Sequence, residues 1–228
     1  MDGAARGSAA VLTITVDRAH RVTARFVAAP TFADLAAASP AARLAVAELA
    51  ARGITQGYGD GTFGPVDDAL RAQMAALLVR AMGWTGERAP TPFSDRGGVD
   101  DELWAAIGIL ARHDVARGYG DGTFDTLGPV LDAQAISFVV RAMVAAGRWQ
   151  EQPDDPALYP NVPASSGHRQ DLATYVRYAG PVRGTATATG DFPAWEQPAS
   201  RAWFAYVLWR ALASDLGTDQ PGSGGYVP

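Results

Sequence analysis

No cysteine occurs among the 228 residues, which removes disulfide frameworks, cysteine nucleophiles and thiolate zinc sites together. Lysine is absent too, so all 19 basic residues are arginine, and against 24 acidic residues they leave a formal charge of −5. Nothing forms the basic stripe that a general nucleic-acid binder needs for phosphates. With Ala, Gly and Pro so abundant, the missing lysine is what a GC-rich coding bias produces. No run approaches the ~18 apolar residues of a membrane span, and Met1 to Ala10 lack a charged segment followed by an apolar stretch. Either the chain is cytoplasmic or Met1 is not the natural start. A hydrophobic fraction of 48% suits one or two globular domains.

Residues 11–27, VLTITVDRAHRVTARFV, form two β-rich runs around the polar turn Asp17-Arg18-Ala19-His20, which predicts a hairpin. A lone hairpin is marginal in water, so these strands are expected to be the remnant of a larger sheet. The phrase VTARF is similar to the last strands of β-rich bacterial surface repeat modules. That resemblance implies a longer parent protein with its export signal upstream.

From Phe32 onward the chain repeats itself. Gly57-Tyr58-Gly59-Asp60-Gly61-Thr62-Phe63 recurs word for word from Gly118 to Phe124, an offset of 61 residues. Phe32-Ala33-Asp34 and Phe93-Ser94-Asp95 keep that register, as do Arg80-Ala81-Met82 and Arg141-Ala142-Met143. A seven-residue identity in a constant register marks a duplicated structural unit. A third, eroded copy opens at Tyr159-Pro160-Asn161-Val162, carries a loop from Gly184 to Phe192, and closes at Arg210-Ala211-Leu212.

Each copy reads helix, loop, helix. In the first, Pro40 suits a helix start and Gly53 a stop; Asp60-Gly61 suits a turn with φ > 0. A second helix is predicted from about Ala69 to Met82, with Leu70, Met74, Leu77 and Leu78 at helical spacing. Such a pair cannot bury its own apolar face, so the copies must pack together, around a pseudo-threefold axis. The expected fold is mainly α, a helical spindle of three helix-loop-helix repeats with a short N-terminal β-hairpin. Its expected domains are 1–30, a hairpin remnant; 31–88, 89–150 and 151–214, the three repeats; and 215–228, a disordered tail.

Phe-x-Asp, a first helix ending Gly53-Ile54, Gly-Tyr-x-Asp-Gly-Thr-Phe, and a second helix closing on Arg-Ala-Met together resemble a tandem of S-layer homology domains. The resemblance covers Phe32 to about Ala213. It implies a three-pronged, non-catalytic module that holds exported proteins on the cell wall or S-layer by binding secondary cell-wall polymers, many bearing pyruvylated sugars, in grooves between prongs. A pyruvyl ketal carries a carboxylate, which a planar guanidinium meets with paired donors. In the family that role falls on the arginine of Thr-Arg-Ala-Glu at the start of the second helix, where unpaired backbone N–H groups also favour an anion.

The matching segments here are Leu70-Arg71-Ala72-Gln73, Leu131-Asp132-Ala133-Gln134 and Ser200-Arg201-Ala202-Trp203. The resemblance therefore implies ligand-binding roles for Arg71, Gln73, Arg201, Trp203 and Gln134, with Asp132 reversing the charge of the second groove and accepting sugar hydroxyls instead. Tyr58 and Tyr119 are placed either against sugar rings or over the inter-helix core, and Trp104 at a groove wall or in the core. Arg71 at a helix start opposes the helix dipole; it is either a ligand-binding residue or a surface cation neutralised by Asp67 and Asp68. Arg80, Arg141 and Arg210 are read as cations closing their own helices.

A Gly-Asp-Gly loop lacks the alternating carboxylates of an EF-hand, and His20, His113 and His168 lack metal-ligand spacing. No metal and no cofactor is expected. Asp67-Asp68, Asp100-Asp101 and Asp154-Asp155 sit near helix starts, where capping accounts for them, and Ser165-Ser166-Gly167-His168 reads as loop. The expected function is wall-polymer anchoring without catalysis. An assembly module packing against neighbouring surface-layer proteins, or the C-terminal anchor of a larger envelope hydrolase, stays open.

Overall fold

The computed structural model describes residues 30–156, 162–181 and 196–215. The predicted hairpin, the tail, the glycine-rich segment from Gly184 to Phe192 and Tyr159-Pro160-Asn161 lie outside the described residues. A 3₁₀ turn at Leu35–Ala37 precedes six helices: α1 (Pro40–Ala51), α2 (Arg71–Met82), α3 (Asp101–Arg112), α4 (Asp132–Ala145), α5 (Arg169–Ala179) and α6 (Arg201–Asp215). The fold is mainly α, and the described residues contain no strand longer than isolated bridges.

The first helices of copies one and two start on side-chain caps, whereas α5 has none. The Ser39 hydroxyl accepts from Ala42 N at 3.2 Å ahead of Pro40, and Asp100 Oδ1 accepts from Leu103 N at 2.8 Å, each satisfying an N–H that the helix itself leaves free. Second helices start differently. Arg71 N and Ala72 N donate to the carbonyls of Gly128 and Thr126, Arg201 N and Ala202 N to those of Asp67 and Pro65, and Asp132 N to that of Gln197. The first-turn N–H groups are thus already occupied by a neighbouring copy, so the expectation that they favour an anion is corrected. The same pairing explains why α2 begins at Arg71 rather than Ala69.

Ala69, Val130 and Ala199 form a closed cycle around the axis. Ala69 N donates to Ala199 O at 2.8 Å, Val130 N to Ala69 O at 2.8 Å, and Ala199 N to Val130 O at 2.7 Å. Three successive donors returning to the first residue require a threefold relation between the segments that carry them.

The most extensive helix pairing runs between copies, although α5 and α6 of the third copy also pack together. The closest partners are α2 with α3, α4 with α5, and α1 with α6, so the first helix of each copy lies on the second helix of the copy before it, and α1 closes the ring on α6. The core is continuous through all three prongs, with Leu49, Leu78, Ile107, Leu110, Ile136, Met143, Leu172 and Phe204 fully buried. Burying such side chains contributes roughly 1.5–3 kcal/mol each.

The repeated phrases have distinct mechanical jobs. Asp34 accepts from Phe63 N at 2.9 Å and Gly64 N at 2.7 Å; Asp95 accepts from Phe124 N, Asp125 N and Thr126 N at 2.8, 2.6 and 3.2 Å. Phe-x-Asp is therefore a clamp on the exit of the glycine-rich loop. Within the loop, Asp60 and Asp121 accept from the N–H two residues on, forming Asx turns.

Candidate functional site

Each clamped loop supports one arginine from another copy. Arg71, at the start of α2, donates from Nε to Phe124 O at 2.6 Å and from Nη1 to Gln134 Oε1 at 3.2 Å. Arg201, at the start of α6, donates from Nε to Phe63 O at 2.8 Å and from Nη1 to Gln73 Oε1 at 2.6 Å. Aromatic faces back both guanidiniums. Cζ of Arg71 lies 4.5 Å from the Phe124 ring centroid and 5.0 Å from that of Tyr119; Cζ of Arg201 lies 4.3 Å from Tyr58 and 4.9 Å from Phe63. Cation–π attraction holds a desolvated guanidinium flat against such faces.

Both arginines are nearly buried, at 3% and 8% exposure, yet neither has a carboxylate within ion-pair distance among the described residues. The reading of Arg71 as a surface cation neutralised by Asp67 and Asp68 is corrected: Asp67 accepts instead from the Tyr58 hydroxyl at 2.8 Å. Burial pushes both guanidiniums below their ordinary value, against the opposing pull of Tyr119, Asp125 and Asp95 on Arg71 and of Tyr58, Asp67 and Asp34 on Arg201. Each stays a cation at neutral pH, with Nη2 free of any acceptor among the described residues.

Gln73 and Gln134 explain the missing counter-charge. A glutamine at the third position of the second helix accepts a hydrogen bond from the neighbouring copy's arginine without cancelling its charge. Trp203 occupies the same place in α6 and Asp132 the arginine's place in α4. Both are buried, the Trp203 indole N–H has no acceptor, and burial pushes the Asp132 carboxyl up to about 7. The ring therefore holds two arginine–glutamine pairs, while at the third position Asp132 and Trp203 form no such bond.

Tyr58 and Tyr119 remain 46% and 52% exposed, so the core reading of these residues is corrected: they flank the arginines at the surface. Trp104 packs at the core edge on α3 and its carbonyl accepts from the Thr91 hydroxyl, outside the recess at Arg71. That recess is lined by Gln134, Ser137, Arg141, Arg117 and His168 as well as Arg71 and Tyr119. Ser137, Arg117 and His168 were not legible as site residues; only folding α5 onto α4 brings His168 to Ser137, at 2.8 Å between Nδ1 and Oγ.

Arg80 lies in the last turn of α2, as expected of a cation closing its own helix, whereas the same reading of Arg141 and Arg210 is corrected, since neither lies in the last turn of α4 or α6. Arg80 Nη1 donates to Ile54 O at 3.3 Å, and Arg210 donates to the carbonyls of Ala179 and Pro181, so each reaches the end of the first helix in its own copy. Arg141 lies one turn inside α4 and pairs with Asp171 at 3.0 Å.

A model of the S-layer homology domain matches residues 31–75 and 92–136. The chain carries two S-layer homology domains. A "Cell surface protein" of Thermoanaerobacter kivui is 36% identical over 122 residues, spanning 52% of this chain and 16% of that protein. A "Surface layer protein" of Brevibacillus choshinensis is 29% identical over 134 residues, 56% of this chain and 11% of its own length, and a "Middle cell wall protein" of Brevibacillus brevis is 28% identical over 131 residues, 56% and 12%. The chain thus covers about a sixth or less of these relatives. Arg71, Gln73, Asp132 and Gln134 fall within the matched S-layer homology domains, whereas Arg201 and Trp203 lie beyond them. No helix among the described residues is long and apolar enough to cross a membrane.

Proposed function

We propose that this chain is a non-catalytic anchoring module of the bacterial cell envelope, and that it holds its parent protein on the wall by gripping an anionic wall glycan at Arg71 and Arg201. The observation carrying this reading is the pair of buried guanidiniums, each held in place by a backbone carbonyl and a neutral glutamine and each lacking a carboxylate partner. A buried cation without a counter-ion is costly, and an anionic ligand relieves that cost with charge-assisted hydrogen bonds. A pyruvyl ketal or other sugar acid fits this chemistry. The second groove, centred on Asp132, takes no part in anion binding.

Residues 151–214 act in this proposal as a third, diverged S-layer homology repeat, supported by the place of α5 and α6 in the ring and by the matching contacts of Arg201 and Arg71. The names of the relatives support a location in the cell wall or surface layer. Sedimentation of the purified chain with cell-wall sacculi, before and after extraction of their non-peptidoglycan polymer, tests the proposal. Binding lost on extraction is expected; equal binding to both preparations would overturn it.

A second reading, packing against neighbouring surface-layer proteins, draws on Val66 and Leu127, equivalent loop residues exposed at 68% and 52%. Under that reading, Val66→Asp with Leu127→Asp abolishes retention on intact walls while polymer binding persists.

A further inference from the structure

The two arginine grooves differ in what surrounds the guanidinium. Around Arg71 stand Arg117 from the loop of the second copy, Arg141 from α4, and His168 from the start of α5, all lining one recess of about 90 Å³. Arg117 is held by Asp114 through two bonds, at 3.1 and 2.7 Å, and Arg141 by Asp171 through one. Among the described residues, Nη1 of Arg117 and both Nε and Nη1 of Arg141 remain without an acceptor. Ser137 engages Nδ1 of His168, which leaves Nε2 available to the recess.

At the matching positions near Arg201 the residues are Gln56 for Arg117, Ala76 for Ser137 and Asp100 for His168, the last two cap residues being equivalent at the starts of α3 and α5. Arg80 keeps the place of Arg141 and is likewise paired with a carboxylate, Glu102, but its Nη1 is also taken, by the Ile54 carbonyl. Three polar donors are thus replaced or removed and one carboxylate is added.

We infer that the Arg71 groove recognises a glycan unit bearing two anionic groups, one held by Arg71 and the second by Arg117 and Arg141 beside His168, whereas the Arg201 groove takes a unit with a single acid group. This rests on the anion-binding role proposed above for the two arginines. A guanidinium already anchored by one carboxylate meets a second anion with its orientation fixed in advance, so little side-chain freedom is lost on binding. The two grooves then read different places along one polymer, and simultaneous engagement raises retention beyond either alone.

Titration calorimetry on the full chain tests this with three probes: the methyl glycoside of galacturonic acid, digalacturonic acid, and galacturonic acid 1-phosphate. The last two separate a second carboxylate from a phosphate. In the Arg201→Met background, which leaves the Arg71 groove alone, at least one doubly charged probe is expected to bind ten-fold or more tighter than the singly charged one. Arg117→Gln, Ser137→Ala and His168→Asp combined, which install the other groove's residues at all three places, are expected to bring that ratio to about one. A ratio near one before those substitutions, or one that survives them, overturns the inference while leaving anion binding at Arg71 intact. Failure of all three probes to bind overturns the anion-binding reading itself, and this inference with it.

Discussion

Arg201 and Gln73 lie 128 positions apart in the chain and are joined by a hydrogen bond of 2.6 Å from Nη1 to Oε1. Arg71 and Gln134 repeat the bond at 3.2 Å. These pairs close the ring of copies and also leave two guanidiniums without a cancelling charge, so the same contact serves the fold and the site.

Because each arginine stem is packed in the core, its removal and its neutralisation should have different effects. Arg201→Ala is expected to cost ~2–3 kcal/mol through lost packing and a freed Phe63 carbonyl. Arg201→Met frees the same carbonyl but keeps the stem packing and deletes a buried charge, and is expected to cost ~1 kcal/mol less. Urea denaturation of both variants measures the difference, and equal losses would contradict it.

Asp95 holds three backbone N–H groups at the exit of the second loop. Burial pushes its carboxyl up, but the hydrogen bonds from Phe124, Thr126 and Asp125 outweigh this and leave it below the usual range. Its contribution is therefore present above the unfolded value, about 3.9, and disappears as pH falls through the lower folded value. Asp95→Ala is expected to destabilise at pH 7 by ~1–3 kcal/mol and by progressively less in acid. A loss independent of pH, read from denaturation at pH 7 and below pH 3, would count against the clamp.

Asp132 carries the opposite sign. Its folded value of about 7 lies above the unfolded one, so the folded state holds the proton more firmly. That contribution is complete below about pH 4 and is lost as pH rises towards 7. Asp132→Asn is expected to gain ~1–2 kcal/mol relative to the parent at pH 8 over its difference at pH 4. Parallel pH profiles for the two proteins would refute the burial of an unpartnered carboxyl here.

Gly118 and Gly120 both have positive φ, +66° and +82°, but only Gly118 is crowded. A Cβ there would overlap the Thr123 carbonyl and the Phe93 ring, while Gly120 faces open space. Gly120→Ala is expected to cost about 1 kcal/mol from backbone strain alone, and Gly118→Ala clearly more. Thermal denaturation ranks the pair, and the reverse order would show that the loop is held otherwise.

The repeat was legible because a seven-residue phrase demands one backbone shape: Gly57 and Gly118 have no room for a side chain, and Asp60 and Asp121 form the turn. Helix starts at Pro40 and Asp101 were legible from local capping chemistry. The start of α2 at Arg71 was not, since its first N–H groups are satisfied by carbonyls near 126–128, far along the chain. For the same reason Arg71 could be read as a surface cation facing Asp67, although three-dimensional closure buries it against Phe124. His168 looked like loop because its partner Ser137 is 31 residues away. Local rules reach the elements; the ring that joins them depends on pairings across copies.

The central claim is that Arg71 and Arg201 each hold one acid group of the wall polymer. It is tested most directly by titrating released, purified wall polymer into the full chain and into Arg71→Met, Arg201→Met and the double variant, with circular dichroism confirming native helicity. Loss of one class of site in each single variant and of measurable binding in the double variant is the expected result. Isotherms unchanged in the natively folded double variant would contradict it.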